Sequence, residues 1–189
     1  MRRSRKNDGN KKELEKELAK RDEGEVPKKP AKTVFLSALS ERNVKVAGGP
    51  DGPYFATKGR LPRIIWREKL GDNERISFNG VRSPNAIFMH PEPQSFASVT
   101  YDLKNPYTVF RAKAHIVSRH RQQGNPVTPL TFEVLGDGKT LWKSKPLTKK
   151  GQSRACEVKI TGVRVLELRV NCPGPHDWAW SVWIEPRLN

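Results

Sequence analysis

The side chains able to do acid, base, nucleophilic or metal chemistry are few and scattered. Four histidines, His90, His115, His120 and His176, form no HExxH and no ligand pair at helical or short-loop spacing, so no zinc-site pattern is present. Cys156 and Cys172 are too far apart in sequence to read as a metal pair, and spacing leaves open whether they form a disulfide. "GDGKT" at 136–140 ends like a phosphate loop, yet the required first glycine is Glu133 and both flanks read as strands. No Gly-x-Ser-x-Gly elbow occurs. A hydrolase working with paired carboxylates needs two acids in one cleft. Only 13 of the 20 Asp and Glu follow residue 33, and several, such as Asp51, Asp72 and Asp137, sit in turn contexts. Binding is therefore favoured over catalysis, and the chain is read as a non-enzyme.

The aromatic residues are distributed less evenly. The closing stretch "HDWAWSVWIEPRLN" holds three of the five tryptophans: Trp178, Trp180 and Trp183. Trp178 follows the Pro- and Gly-rich "CPGPHD", a loop context in which side chains are exposed and functional. An indole there can stack on the apolar face of a pyranose while His176 and Asp177 bond its hydroxyls, and the same platform can stack a nucleobase. Trp183 reads as core, Trp180 as either core or site, and Trp66, beside Arg63 and Arg67, as a second candidate platform. His90, between Met89 and Pro91, reads either as a sugar contact or as a ring bonded to a backbone carbonyl at a loop corner.

Charge sets the class of partner. Net charge is +16 over 189 residues; residues 1–33 hold twelve Lys or Arg against seven Asp or Glu, leaving +11 for the remainder. Such a surface favours polyanions: nucleic acid, acidic or sulfated polysaccharide, or anionic membrane. No run approaches the roughly 18 apolar residues of a membrane span, so no membrane insertion is expected. The start "MRRSRKNDGN" shows no apolar signal-peptide segment.

The elements that must position these groups are predicted from the pattern. "NKKELEKELAKRDEGE" predicts a short solvated helix over 11–22, capped by Asn10, and "GEVPKKPAK" a stiff linker ending a tail over 1–33. From residue 34 the period is two. "PYTVFRAKAHIV" puts Phe110, Ala112, Ala114 and Ile116 on one face and Val109, Arg111, Lys113 and His115 on the other. Arg111, Lys113 and His115 read as a solvated face or as an anion-binding stripe. "LTFEVLGDGKTLWKS" is a hairpin turning at Asp137-Gly138. "ASVTYDL" is a further strand, and "RISFNGV" runs a strand into an Asn79-Gly80 turn. "ACEVKITGVRVLELRV" gives two strands around Thr161-Gly162; a simple hairpin there would set Cys156 opposite Arg169. In a terminal strand, Trp178, Trp180, Val182 and Ile184 would face one way and Ala179, Ser181, Trp183 and Glu185 the other, and a lone edge strand cannot bury both faces. The fold class is all-β, an antiparallel β-sandwich over 34–189 without a substantial helix.

Four blocks carry a resemblance: "SPNAIFMHPEPQSFASVTYDL", "PLTFEVLGDGKTLWKSKPL", "EVKITGVRVLELRVNCPG" and "WAWSVWIEPRL". In order and spacing they resemble the NPCBM/NEW2 family of carbohydrate-binding modules. The resemblance implies a galactose-binding-like jelly roll, glycan binding that includes galactose-containing sugars, a structural calcium in many relatives, and attachment to larger secreted bacterial proteins, hence an extracellular or periplasmic location. His90 keeps its position in the family's stretch before the "YDL" strand, at Ala86 to His90, without its glycines. Trp183 and Glu185 match the terminal pattern in kind; Trp180 and Val182 do not. "VSRHRQQGNP" carries Arg119, His120 and Arg121 and no carboxylate where relatives have an acid. That departure argues against an acid-dependent sugar or calcium contact there and for Arg119 and Arg121 reading an acidic group.

The expected function is thus a saccharide-binding module, for a galactose-containing or acidic glycan, with contacts from His90, His176, Asp177, Trp178, Trp180, Arg119 and Arg121. It requires no cofactor. A basic module for polyanions or single-stranded nucleic acid is the alternative, as is a protein-interaction domain without a sugar site.

Overall fold

The structure, a computed structural model, describes residues 32–49, 55–58, 76–79, 81–104, 106–117 and 124–189. The helix expected over 11–22, Trp66 and the Arg119, His120 and Arg121 segment lie outside those residues. Thirteen strands follow in chain order among the described residues: β1 (Val34–Phe35), β2 (Arg42–Lys45), β3 (Phe55–Ala56), β4 (Ser77–Phe78), β5 (Val81–Arg82), β6 (Ile87–Met89), β7 (Ser95–Asp102), β8 (Val109–Ile116), β9 (Thr131–Gly136), β10 (Lys139–Lys143), β11 (Ser153–Lys159), β12 (Val165–Cys172) and β13 (Ser181–Leu188). The helical content described is one 3-10 turn, Leu36–Ala38.

Two antiparallel sheets share one core. The first has the order β11-β8-β13-β6-β3, with β1 also paired to β13; the second has the order β10-β9-β12-β7-β2. Alternation decides what meets between them. Phe110, Ala114, Ile116 and Trp183 point in from the first sheet, and Val99, Tyr101, Phe132, Val134, Leu168 and Val170 from the second, all buried. Each such Val, Leu, Ile or Phe side chain stabilises by about 1.5–3 kcal/mol on burial. An exposed ion pair such as Arg42 with Asp102 is worth about 0–1 kcal/mol. The period-two pattern, not the surface charge, therefore selects this architecture.

The expected β9–β10 hairpin forms. Asp137 (φ 49°) and Gly138 (φ 79°) supply two consecutive left-handed residues, the backbone a two-residue hairpin requires. The Asp137 carboxylate also accepts hydrogen bonds from the Arg164 and Val165 amides, at 3.2 and 2.9 Å, joining this turn to the start of β12.

The other anticipated hairpin does not. β11 pairs with β8 in the first sheet, whereas β12 lies between β9 and β7 in the second, so the Thr161-Gly162 turn carries the chain across the sandwich. Cys156 consequently faces Ala112 rather than Arg169, and Cys172 faces Ser95. Both thiols are buried and free. Burial pushes the Cys156 thiol up to about 12 and Cys172 upward as well, which keeps both protonated and unreactive.

The terminal strand is not an edge. β13 lies between β8 and β6, which resolves the difficulty of its two apolar faces. Trp183 points into the main core beside Phe110, Phe132 and Trp142. Val182 and Ile184 point outward and are buried in a second apolar cluster with Ile76, Ala86, Phe88 and Val117, against which Phe78 and Trp180 pack. Phe78 comes from the β4–β5 hairpin, which thereby lies on the outer face of the first sheet. Asn79, at φ 50°, opens its turn as expected. His115 is accordingly no member of a solvated stripe: it is buried, its ring edge-on to Phe78 at 5.1 Å.

Candidate functional site

The segment from Pro173 to Trp180 joins β12 to β13 and gathers most of the anticipated site residues. Its path is set by backbone bonds to three neighbouring stretches. Gln94 N–H donates to the Gly174 carbonyl (2.9 Å), Val127 N–H to the Asp177 carbonyl (3.2 Å), and Val117 N–H to the Trp180 carbonyl (2.9 Å). Thr128 Oγ1 donates to the Pro175 carbonyl at 2.6 Å. Gly174 is required here, because a Cβ at that position would stand 2.6 Å from Thr128 Oγ1.

His90 and His176 meet at this loop with ring centroids 4.9 Å apart at 82°. Each places Nδ1 against one oxygen, the Pro91 carbonyl, at 3.1 and 3.0 Å. A carbonyl only accepts, so both rings carry a proton on Nδ1, and in the neutral form Nε2 is the acceptor. Burial is the main influence on His90, lowering its pKa to about 4; His176 adds to the lowering, while the Pro91 bond and Asp177 oppose it. His90 is therefore neutral near pH 7. At 5% exposed, it holds the loop corner, which is the carbonyl-bonded arrangement anticipated as the alternative to a sugar contact.

Trp178 and Trp180 form a second ring pair, 5.5 Å apart at 63°. Trp178 adopts φ 60°, a left-handed conformation that costs a non-glycine residue about 1–3 kcal/mol unless its surroundings impose it. Hydrogen bonds flank it: Ala179 N–H to the His176 carbonyl (3.0 Å) and Trp180 N–H to the Trp178 carbonyl (2.8 Å). Its indole lies on Gly124, where a Cβ would come within 3.1 Å of both Cδ1 and Nε1. Trp178 is half-buried and Asp177 exposed, so the loop presents an aromatic surface beside a carboxylate. Trp180 is half-buried in the outer apolar cluster.

This arrangement suits stacking and hydrogen bonding. Among the described residues, no three His, Cys, Asp or Glu side chains come together as a metal-binding group.

The NPCBM/NEW2 domain matches residues 37–189. The chain belongs to that family of carbohydrate-binding modules. A protein of Renibacterium salmoninarum, provisionally named an endo-alpha-N-acetylgalactosaminidase, is 23% identical over 164 residues, which are 86% of this chain and 10% of that protein. Solved structures show the same fold. Tandem CBM51 modules of a family 98 glycoside hydrolase from Streptococcus pneumoniae share 20% identity at a TM-score of 0.64, over 82% of this chain and 46% of theirs. A CBM51 module of Clostridium perfringens, solved with methyl-galactose, shares 19% identity at 0.52, over 84% of this chain and all of that one. The second CBM51 module of the C. perfringens protein ZmpB, solved with GlcNAc, shares 16% at 0.61, over 83% and 31%. The chain thus spans about a tenth of the curated relative and under a third of the ZmpB structure.

Within this NPCBM domain the structure brings together His90, His176, Asp177, Trp178 and Trp180 on one loop end, while Arg119 and Arg121 lie outside the described residues. Reading the sequence missed Gly124 and Thr128, and missed that the Pro91 carbonyl takes both histidines. The Pro91 carbonyl is backbone and Gly124 acts through the absence of a Cβ, while Thr128 is one hydroxyl among many until the fold sets it against Pro175. No helix among the described residues is long and apolar enough to cross a membrane.

Proposed function

We propose that this NPCBM domain is a non-catalytic module that binds a neutral pyranose, of the galactose or N-acetylhexosamine class, at the loop end formed by residues 173–180. The observation that carries the reading is Trp178. A half-buried indole fixed in a left-handed turn against Gly124 is a rigid platform, positioned before any ligand arrives. The apolar face of a pyranose stacks on that ring. A hydroxyl can donate to Nε2 of His176, whose tautomer is set by Pro91, and another to the Asp177 carboxylate. His90 supports His176 as a positioning residue. Methyl-galactose and GlcNAc in the solved C. perfringens modules support this ligand class.

Binding of this type is weak at one site and gains strength by tethering to further domains. The short share of its relatives that the chain spans supports a place in a larger exported protein that acts on glycans. The test is isothermal titration with methyl-galactoside, N-acetylglucosamine and N-acetylgalactosamine, repeated on His176→Phe. Binding to at least one sugar, weakened severalfold or more in the variant, is expected; identical binding by the variant would remove His176 from the site.

A further inference from the structure

We propose that a second site, the cleft between the β4–β5 hairpin and the outer face of the first sheet, takes the carboxylate or sulfate group of an acidic sugar. The proposal rests on the chain being a saccharide-binding module, but not on the loop-end site. The cleft has a volume of about 440 Å³, within the range of about 300–1,000 Å³ typical of small-molecule sites.

Register makes the cleft cationic. Across β13, β8 and β11, Arg187 stands opposite Arg111, and Arg111 opposite Glu157. Like charges directly opposite in neighbouring strands repel, and one carboxylate serves two guanidiniums. Glu157 bonds Arg111 at 3.0 Å, which holds its carboxyl below the usual range, and Arg187 adds only a weaker pull. The other acid lining the cleft, Glu185, is already engaged: Ser83 Oγ and Asn85 Nδ2 donate to it at 2.6 and 2.8 Å. That leaves Arg82, Lys113 and Arg187 without a bonded carboxylate among the described residues. A concave, partly desolvated setting focuses their field, and a guanidinium fork matches the two oxygens of a carboxylate or sulfate.

The hairpin decides the kind of ligand. The Lys113 ammonium lies 3.9 Å above the Phe78 ring and His115 meets the same ring edge-on. Lys113 thus occupies one face of Phe78, which disfavours the stacked nucleobase that single-strand binders require. Val81, 70% exposed at the hairpin, supplies an apolar lip for the body of a sugar ring.

The test uses the full chain and four probes at low and moderate salt: oligogalacturonate for carboxylate, sulfated galactan oligosaccharide for sulfate, a neutral galacto-oligosaccharide, and a single-stranded DNA of matched charge. The double variant R82Q/R187Q removes two cations whose side chains bond no partner among the described residues, and Ala155→Glu, on the exposed rim, puts a carboxylate into the cleft without touching the core. Trp178→Gly and Lys139→Gln, the latter on an exposed β10 position, are run alongside. The expected result is at least tenfold weaker binding of one or both acidic sugars in both cleft variants, with Trp178→Gly and Lys139→Gln leaving that binding in place. Loss only in Trp178→Gly would place the acidic sugar at the loop end and overturn the cleft. Unchanged binding in the cleft variants, equal loss in Lys139→Gln, or DNA binding as tight as the sugars would also overturn it. Failure of the neutral sugar alone would count against the loop-end site and leave the cleft standing.

Discussion

Trp183 and Trp178 are five residues apart and answer to different physics. Trp183 is fully buried among three aromatic rings; truncation to Ala is expected to cost about 3–5 kcal/mol, read as a lowered urea midpoint. Trp178→Gly should leave that midpoint nearly unchanged, because glycine accepts φ 60° freely, while abolishing sugar binding. Two buried histidines set the acid limit. His90 and His115 are each drawn from 6.5 down to about 4, chiefly by burial. Between those values the unfolded chain binds protons that the folded chain refuses, so stability is complete above about pH 6.5 and is lost as pH falls toward 4. The gap amounts to roughly 3 kcal/mol per histidine, at about 1.4 kcal/mol per pH unit. Urea unfolding at pH 7 and pH 5 should show the decline, and His115→Phe should remove part of it; equal stability at both values would contradict the burial account. At this scale the sequence was legible where chemistry is local: the "CPGPHD" loop marked Trp178, and Met89 and Pro91 around His90 suggested a carbonyl-bonded corner. It was illegible where exposure depends on another element, as at His115, which alternation places outward and Phe78 then covers.

The elements followed from the pattern wherever pairing is local. Asp137-Gly138 announced its hairpin, and "PYTVFRAKAHIV" its inward face. Asp137→Ala should cost about 1 kcal/mol or more, because it removes both a residue suited to positive φ and the acceptor for Arg164 and Val165; circular dichroism melts would report it, and a neutral effect would show the turn link to be idle. Gly136→Val tests a tighter constraint, since any Cβ there would stand 2.6 Å from Leu141 Cδ1 and 2.8 Å from Val163 Cγ2. A drop in melting temperature is expected, with no change in sugar binding, because this end of the hairpin is not part of the loop site. The β11–β12 crossing was hidden because a tight turn around Gly162 serves a hairpin and a sheet-to-sheet corner alike. The place of β13 as a central strand was hidden for a related reason: both its faces are apolar, and only the hairpin lying over Val182 and Ile184 explains the second.

For the whole molecule, fold and family were legible because buried alternation and four ordered blocks extend over most of the chain, whereas the candidate site also depends on the bare Cα of Gly124, which carries no sequence signature. Net charge of +16 invites a purely electrostatic account, and the two accounts separate by salt. Binding through stacked aromatics and hydroxyl bonds is little screened, whereas exposed charges lose most of their reach within a Debye length of about 8 Å at physiological ionic strength. The most direct measurement is a tryptophan-fluorescence titration of the full chain with methyl-galactoside and N-acetylglucosamine at two salt concentrations, for the wild-type protein and Trp178→Gly. Saturable binding of at least one of these sugars, insensitive to salt and absent from the variant, is the expected result. No binding to either sugar, or binding that survives the loss of Trp178, would contradict a saccharide site at this loop.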